Sequence, residues 1–385
     1  MPNQVNNTKK ILVVSGFIPY PPIFGGAIDV WERIKGLHSL GYEIDLAVTD
    51  KENPTQQQLN EMNLYVRHFF FVRRENKVQQ LFNKLPLQLL SRKALSTIKI
   101  NQLYDLLILE SEFCWPVALN TSINYKKLVV RIHNIESHYF KMLGKSSRSF
   151  KDKVYYKLET SKIKKLSAMV FDKADKLWFI SKDDLLFANR SDKSVFMPFP
   201  VNEPFTPPVE KTGNNVVFMG SLFMQNNTFG LDWYLKNIHP LLINEVADYH
   251  FYIVGSLKES NKEIEKKYQH LPQVTFVVNA TCLKEYYHKS KVFINPMFHG
   301  SGVKVKSVNA LVNGLSLVST TIGAEGIGLT TNMYYHANEV VSFKNQVVSA
   351  LFNQQQAIEK TQKAQDYLKR NNYLEILKAE LNAFV

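Results

Sequence analysis

Short apolar runs recur along this chain, each ending at a glycine or polar turn and most leading into a stretch with helical spacing. Residues 11–14 form the first run and stop at Ser15-Gly16. A helical pattern from 27 to 40 stops at Gly41, and residues 44–48 start the next run. Further strands are predicted over 64–72, 106–109 and 128–132, and a lysine-rich helix over 150–171. The segment 78–98 reads as an irregular helical region broken near Pro86. A proline-rich stretch, 197–208, interrupts the pattern and reads as a linker. Beyond it, strands at 215–219, 250–254, 274–278, 292–294 and 315–318 are interspersed with helices over 228–242 and 303–312, before a helical tail over 362–384. Strand–helix–strand order on both sides of a linker predicts an α/β chain of two domains.

The chemistry concentrates where strands meet helices. Between the run at 292–294 and the helix that follows lies Gly300-Ser301-Gly302, and a second glycine cluster follows the next strand at Gly323, Gly326 and Gly328. Glycines let a backbone approach a ligand closely, and the first turn of a helix points unpaired N–H groups at an anion. Lys304 and Lys306 add full positive charge there, and Lys306, Asn309 and Asn313 form a polar stripe beside the apolar stripe Val305, Val308 and Val312. This is where a phosphate fits, although an ordinary turn with solvated lysines satisfies the same spacing. Gly220-Ser221 repeats the arrangement after the strand at 215–219, and Gly25-Gly26 stands at the mouth of the first helix. His133 follows the strand at 128–132, where side chains project toward ligands in open α/β sheets. Glu110 and Glu112 follow the strand at 106–109, as ligand-facing carboxylates or as the acidic start of a helix. Ser181 has the position of a helix N-cap.

Composition narrows the partners. At 385 residues the chain accommodates two domains, each with its own core. Cys114 and Cys282 have neither metal-ligand spacing nor the density of a disulfide framework, which points to a reducing compartment. The apolar run after Lys9-Lys10 is too short for a signal peptide and reads as a first strand, and no stretch reaches the length of a membrane span. The net charge of +13 is uneven: eight Lys/Arg against one acid between Arg67 and Lys99, and eleven against four between Lys141 and Lys176. An anionic membrane surface is the favoured partner for these segments, ahead of nucleic acid.

The strings GSGVKVK, NALVNG and LVSTTIGAEGI occur in order, and the chain resembles the donor-nucleotide segment of GT-B glycosyltransferases, in particular retaining family 4. The resemblance extends to PPIFGG and the following helix, to RIHNIESHY, to ADKLWFISKDD and to FMGSLFMQNNTFGLDW. It implies GT-B architecture, two Rossmann-like domains facing across a cleft. The expected domains are 1–205 for the acceptor and 206–364 for the nucleotide-sugar, with a last helix over 365–385 returning to the first. The implied reaction is transfer of a sugar to an acceptor hydroxyl with retention, without a metal or other cofactor. The acceptor class is a surface or lipid-linked glycan, at the cytoplasmic membrane face. In that reading His133 is the catalytic-site histidine near the reacting carbon, and Gly25, Gly26, Gly220, Ser221, Gly300, Ser301, Gly302, Val303, Lys304, Lys306 and Asn309 bind the donor. The chain departs from the family pattern at Asn309 and Ser301, where Glu is usual, and lacks the Arg/Lys pair after Gly220. A GT-B-like binding protein without turnover, a nucleic-acid binder, and an epimerase on the same fold are the alternatives.

Overall fold

In a computed structural model of the chain, the described residues are 8–75, 80, 83–147, 149–190, 192–257, 263–280 and 282–385. They divide into two compact units, Met1–Pro200 with Tyr373–Val385, and Val201–Asn372.

The first unit is built on strands β1 (Lys10–Ser15), β2 (Glu43–Asp50), β3 (His68–Arg73), β4 (Gln102–Leu109), β5 (Ile123–Ile132), β6 (Lys176–Phe179) and β7 (Ser194–Phe196). They form one parallel sheet in the order β3-β2-β1-β4-β5-β6-β7. Its helices are α1 (Gly25–Ser39), α2 (Gln56–Met62), α3 (Leu87–Leu90), α4 (Glu136–Ser146), α5 (Phe150–Lys173) and α6 (Lys182–Ala188). The uniformly apolar runs have a plain cause: alternate residues of each strand serve opposite faces, and helices cover both. Leu12, Val14, Leu107 and Val130 pack with Ile163, Leu166 and Val170 of α5. Ile11, Val13, Leu106 and Ile108 pack on the other face with Val30, Ile34 and Leu37 of α1.

The second unit repeats the plan with β8 (Asn214–Met219), β9 (Tyr249–Gly255), β10 (Val274–Val278), β11 (Val292–Asn295), β12 (Ser316–Ser319) and β13 (Tyr335–His336), ordered β10-β9-β8-β11-β12-β13 and parallel. Its helices are α7 (Gln225–Asn237), α8 (His239–Glu245), α9 (Glu263–Tyr268), α10 (Lys284–Lys289), α11 (Val305–Val312), α12 (Val340–Phe352) and α13 (Gln354–Arg370). The last helix, α14 (Tyr373–Phe384), belongs to the first unit, where Tyr373, Leu377 and Leu381 join the core beside α1.

Four expectations need correction. The single tail helix is two, α13 and α14, because helical dihedrals stop at Asn371 and the chain changes units there. The division accordingly falls at 200 and 372 rather than at 205 and 364. The helix expected over 228–242 is α7 and α8, separated at Ile238, with Pro240 in the first turn of α8, where its missing N–H costs no bond. The strand expected over 64–72 starts only at His68, since residues 64–66 close the turn after α2. Part of the expected 78–98 helix lies outside the described residues, and the rest is α3 and a short 3-10 segment, Lys93–Thr97.

Candidate active site

In each sheet the connections run outward in both directions from its first strand, so a crevice opens at the carboxyl ends between β1 and β4, and between β8 and β11. Such switch points are where open α/β sheets bind ligands. The predicted site residues gather at these two places.

At the first, Gly25 and Gly26 are the opening residues of α1, one step further into the helix than a preceding turn. Their N-cap, Phe24, has no polar side chain to bond their N–H groups, so those donors remain available at the helix's positive end. One turn on, α1 delivers Asp29 into a buried charge network. Arg131 donates to Asp29 twice, at 2.9 Å from Nε and 2.7 Å from Nη2, and Arg33 also donates to it. Arg33 Nε donates to Glu110 Oε1 at 2.6 Å and its Nη1 to the Tyr373 hydroxyl at 3.0 Å, tying α14 into the same cluster. Burial alone pushes the Asp29 carboxyl up, but the Arg131 and Arg33 guanidiniums and the bond from His133 win and hold it well below the usual range.

His133 stands just past β5 with Nε2 2.9 Å from Asp29 Oδ2 and 4.0 Å from Glu110 Oε2. Because an ionised Asp29 can only accept, the proton sits on His133 Nε2, leaving Nδ1 as the ring atom open to a ligand. Asp29, Glu110 and His133 each bring one ligand atom within 4.8 Å of the others, a spacing compatible with a metal ion. The chemistry does not fit one: a divalent cation would enter beside two buried guanidiniums that already occupy Asp29. Glu112 is also buried, accepts from Ser167 at 3.0 Å, and is pushed up by that burial. Glu136, in the first turn of α4, is pushed up to about 8, first by burial and then by the Glu112 carboxylate.

At the second switch point the glycines are needed for geometry. Gly300 and Gly302 adopt φ of +123° and +77°, which favour glycine. A side chain on Gly326 would come within 3.0 Å of the Val303 backbone, so the second glycine cluster lies directly against the first turn. The helix α11 begins at Val305, two residues later than expected, because Lys304 is its N-cap and Val303 lies outside it. Lys304 is buried and donates to the Gly302 carbonyl at 2.6 Å and to Glu325 at 3.1 Å. Lys306 donates to Asn227 Oδ1 at 2.6 Å and lies 4.7 Å from the centre of the Phe218 ring. Burial, then the neighbouring Lys304 charge, push the Lys306 ammonium down to about 7.

Asn227 also donates to the Ser221 carbonyl at 2.9 Å, so it links the turn at Gly220-Ser221 to the lysines of α11. Gly220 N–H is spent on the Val254 carbonyl at 3.0 Å, fixing that turn to β9. Ser301 is half-buried, and Asn309 is exposed on α11, its carbonyl accepting from Asn313 at 2.8 Å. The residues missed in the sequence are Asp29, Arg33, Arg131, Asn227 and Glu325. Arg131, Asn227 and Glu325 lie inside the recognised strings; Asp29 and Arg33 carry no local signal, because their partners are distant in the chain.

Two parallel α/β units with glycine turns after their first strands, the second bearing paired lysines, form the GT-B fold. Residues 213–353 match the family described as glycosyl transferases group 1. The chain belongs to one family with an uncharacterised 44.6 kDa protein of the cps region of Klebsiella pneumoniae, 35% identical over 353 residues and 89% of each chain. Solved structures share the fold at low identity. S. aureus TarM, in a complex with fondaparinux, α-GlcNAc-glycerol and UDP, has a TM-score of 0.67 at 10% identity, over 98% of this chain and 100% of TarM. Anabaena HepE with UDP and glucose has a TM-score of 0.62 at 11% identity, covering 98% and 100%.

Proposed function

We propose that the protein moves a sugar from a nucleoside diphosphate donor to a hydroxyl of a glycan acceptor, with retention at the anomeric carbon. The observation that carries this reading is the pair Lys304 and Lys306. Lys304 stands beside the glycine turn, bonded to the Gly302 carbonyl and to Glu325, and Lys306, two residues on, donates to a neutral amide, Asn227. Two lysines beside a glycine turn suit a diphosphate. As the bond between the anomeric carbon and the phosphate oxygen breaks, the leaving diphosphate gains charge, and preorganised cations and N–H groups stabilise it. The new bond forms from the acceptor oxygen, whose proton passes to the departing phosphate, so neither a metal nor a carboxylate pair is needed. His133 Nδ1 is the group for the sugar, and the backbone at Gly25 and Gly26 faces the donor's sugar-phosphate. The Klebsiella relative's place in a cps region and the glycan and UDP in the TarM complex support a polysaccharide substrate.

A panel of UDP, GDP, ADP and CMP with their sugars, read by thermal shift, tests the reading. One nucleoside diphosphate is expected to stabilise the protein, by about 2.7 kcal/mol at 100 times its Kd. Lys306→Gln is expected to abolish the response while leaving the fold intact. Silence across the panel overturns the donor site. The exposed amide at Asn309, where a carboxylate is usual in the family the chain resembles, favours a second reading, a binding protein without turnover. A responding nucleotide whose sugar never reaches an acceptor would select it.

A further inference from the structure

The helix α5 is anchored by Ile163, Leu166 and Val170, and the positions on its opposite side face solvent. There Phe150, Val154 and Leu158, spaced four apart, are 79%, 42% and 57% exposed, an apolar stripe that no element among the described residues covers. Lys153, Lys157 and Lys164 run alongside the stripe, all exposed, and the exposed acid further along the same face, Asp172, is paired with Arg190. A soluble helix normally turns its apolar stripe to the core, and α5 has one on each side.

The lysine row also forms one wall of a groove of about 800 Å³ against α4. The helices come close because Gly144 has no side chain: a Cβ there would lie 3.1 Å from Tyr156 Cβ. Phe140 and Tyr156, in edge contact at 5.9 Å, lie in this groove, and Lys141 and Lys145 of α4 supply its other wall. Phe187 of α6, 66% exposed and 5.9 Å from the His138 ring, joins the lining.

We infer that this α4–α5 face is a docking surface for an anionic phospholipid bilayer. The lysines complement phosphate headgroups, and the stripe at Phe150, Val154 and Leu158 enters the boundary between headgroups and acyl chains. The groove admits a headgroup between its two lysine rows. A nucleic acid would satisfy the lysines, but burying Val154 and Leu158 would gain it nothing, which is why the bilayer is preferred.

The test is co-sedimentation of the full chain with vesicles of phosphatidylcholine alone and of phosphatidylcholine mixed equally with phosphatidylglycerol. Binding is expected to the mixed vesicles only, weakening as salt rises. Each lysine near such a surface is worth about fivefold, so Lys153→Gln/Lys157→Gln/Lys164→Gln is expected to weaken partitioning on the order of a hundredfold. Phe150→Ser/Val154→Ser/Leu158→Ser keeps the charge and is expected to lose binding as well. All six positions are exposed, so thermal unfolding of both triple variants should match the parent, and Phe150→Gln alone serves if the second triple misfolds. No binding to mixed vesicles overturns the inference, as does binding that both triples leave unchanged. Retained binding in the serine triple, with displacement by duplex DNA, would show a general polyanion site and also overturn it. The nucleotide response of the second unit is a separate readout and is unaffected by either outcome.

Discussion

The two switch points share a topology and differ in how their charges are balanced. In the first unit Asp29, Arg33, Glu110 and Arg131 are buried and paired with one another, with Glu110 Oε2 alone left without a hydrogen bond among them, and the cluster presents chiefly His133 and the opening amides of α1 outward. In the second unit Lys304 pairs with Glu325, whereas Lys306 donates to a neutral amide and lies against an aromatic face. A network of paired charges orients a group; an ammonium bonded to a neutral amide can still take an anionic partner. In the proposed reading the same fold separates positioning from anion binding, and each half fails in its own way.

Breaking the paired network should have the largest effect. Asp29→Ala removes the carboxylate shared by Arg33 and Arg131 and leaves two guanidiniums buried with fewer partners. Removing one partner of a buried ion pair costs about 3–5 kcal/mol. Urea unfolding should show that loss in the first unit, whereas Lys306→Gln in the second should change stability by less than about 1 kcal/mol, because it deletes a desolvated charge. Equal losses from the two variants would remove the distinction drawn between them.

The lysines of the second unit predict a pH dependence. The Lys306 ammonium is pushed down to about 7, below the ordinary lysine value, so above pH 7 the ligand-free folded state releases a proton that the unfolded chain still holds. The sign follows: between about pH 7 and the unfolded lysine pKa near 10.4, the free second unit gains stability as pH rises. A bound diphosphate restores the proton, so affinity should be flat below pH 7 and fall by up to about tenfold per unit above it. Calorimetry in buffers of different ionisation enthalpy would register the proton taken up at pH 8. A pH-independent affinity, or the same slope in Lys306→Gln, would remove Lys306 from the anion site.

Much of this was legible before any coordinates. Apolar runs ending in glycine located the strands, since a parallel sheet covered on both faces needs continuous apolar sequence, and the strings around Gly300 and Gly326 marked turns that require glycine. The charge network was not legible. Arg131 lies inside a strand whose neighbours are apolar, and its partner Asp29 is 102 residues away, so no window of sequence contains both. The start of α11 was misplaced for a related reason: Val303 and Lys304 fit a helical pattern, but Lys304 turns back to the Gly302 carbonyl and to Glu325, and the helix begins after it.

The smallest effect sharpens the comparison at the level of a single group. Asn309 is exposed on α11, one helical turn after Lys306, where the family the chain resembles places a carboxylate for the ribose hydroxyls. An amide can bond the same hydroxyls, but without charge and with a shorter reach. Asn309→Glu should therefore raise affinity for the responding ribonucleotide by about tenfold, the difference between a neutral and a charge-assisted bond. The 2′-deoxy analogue isolates the cause, because it lacks one of the hydroxyls the carboxylate would take. If affinity for both analogues rises equally, the new charge is acting elsewhere on α11; if both fall, it is repelling the diphosphate that Lys304 and Lys306 attract.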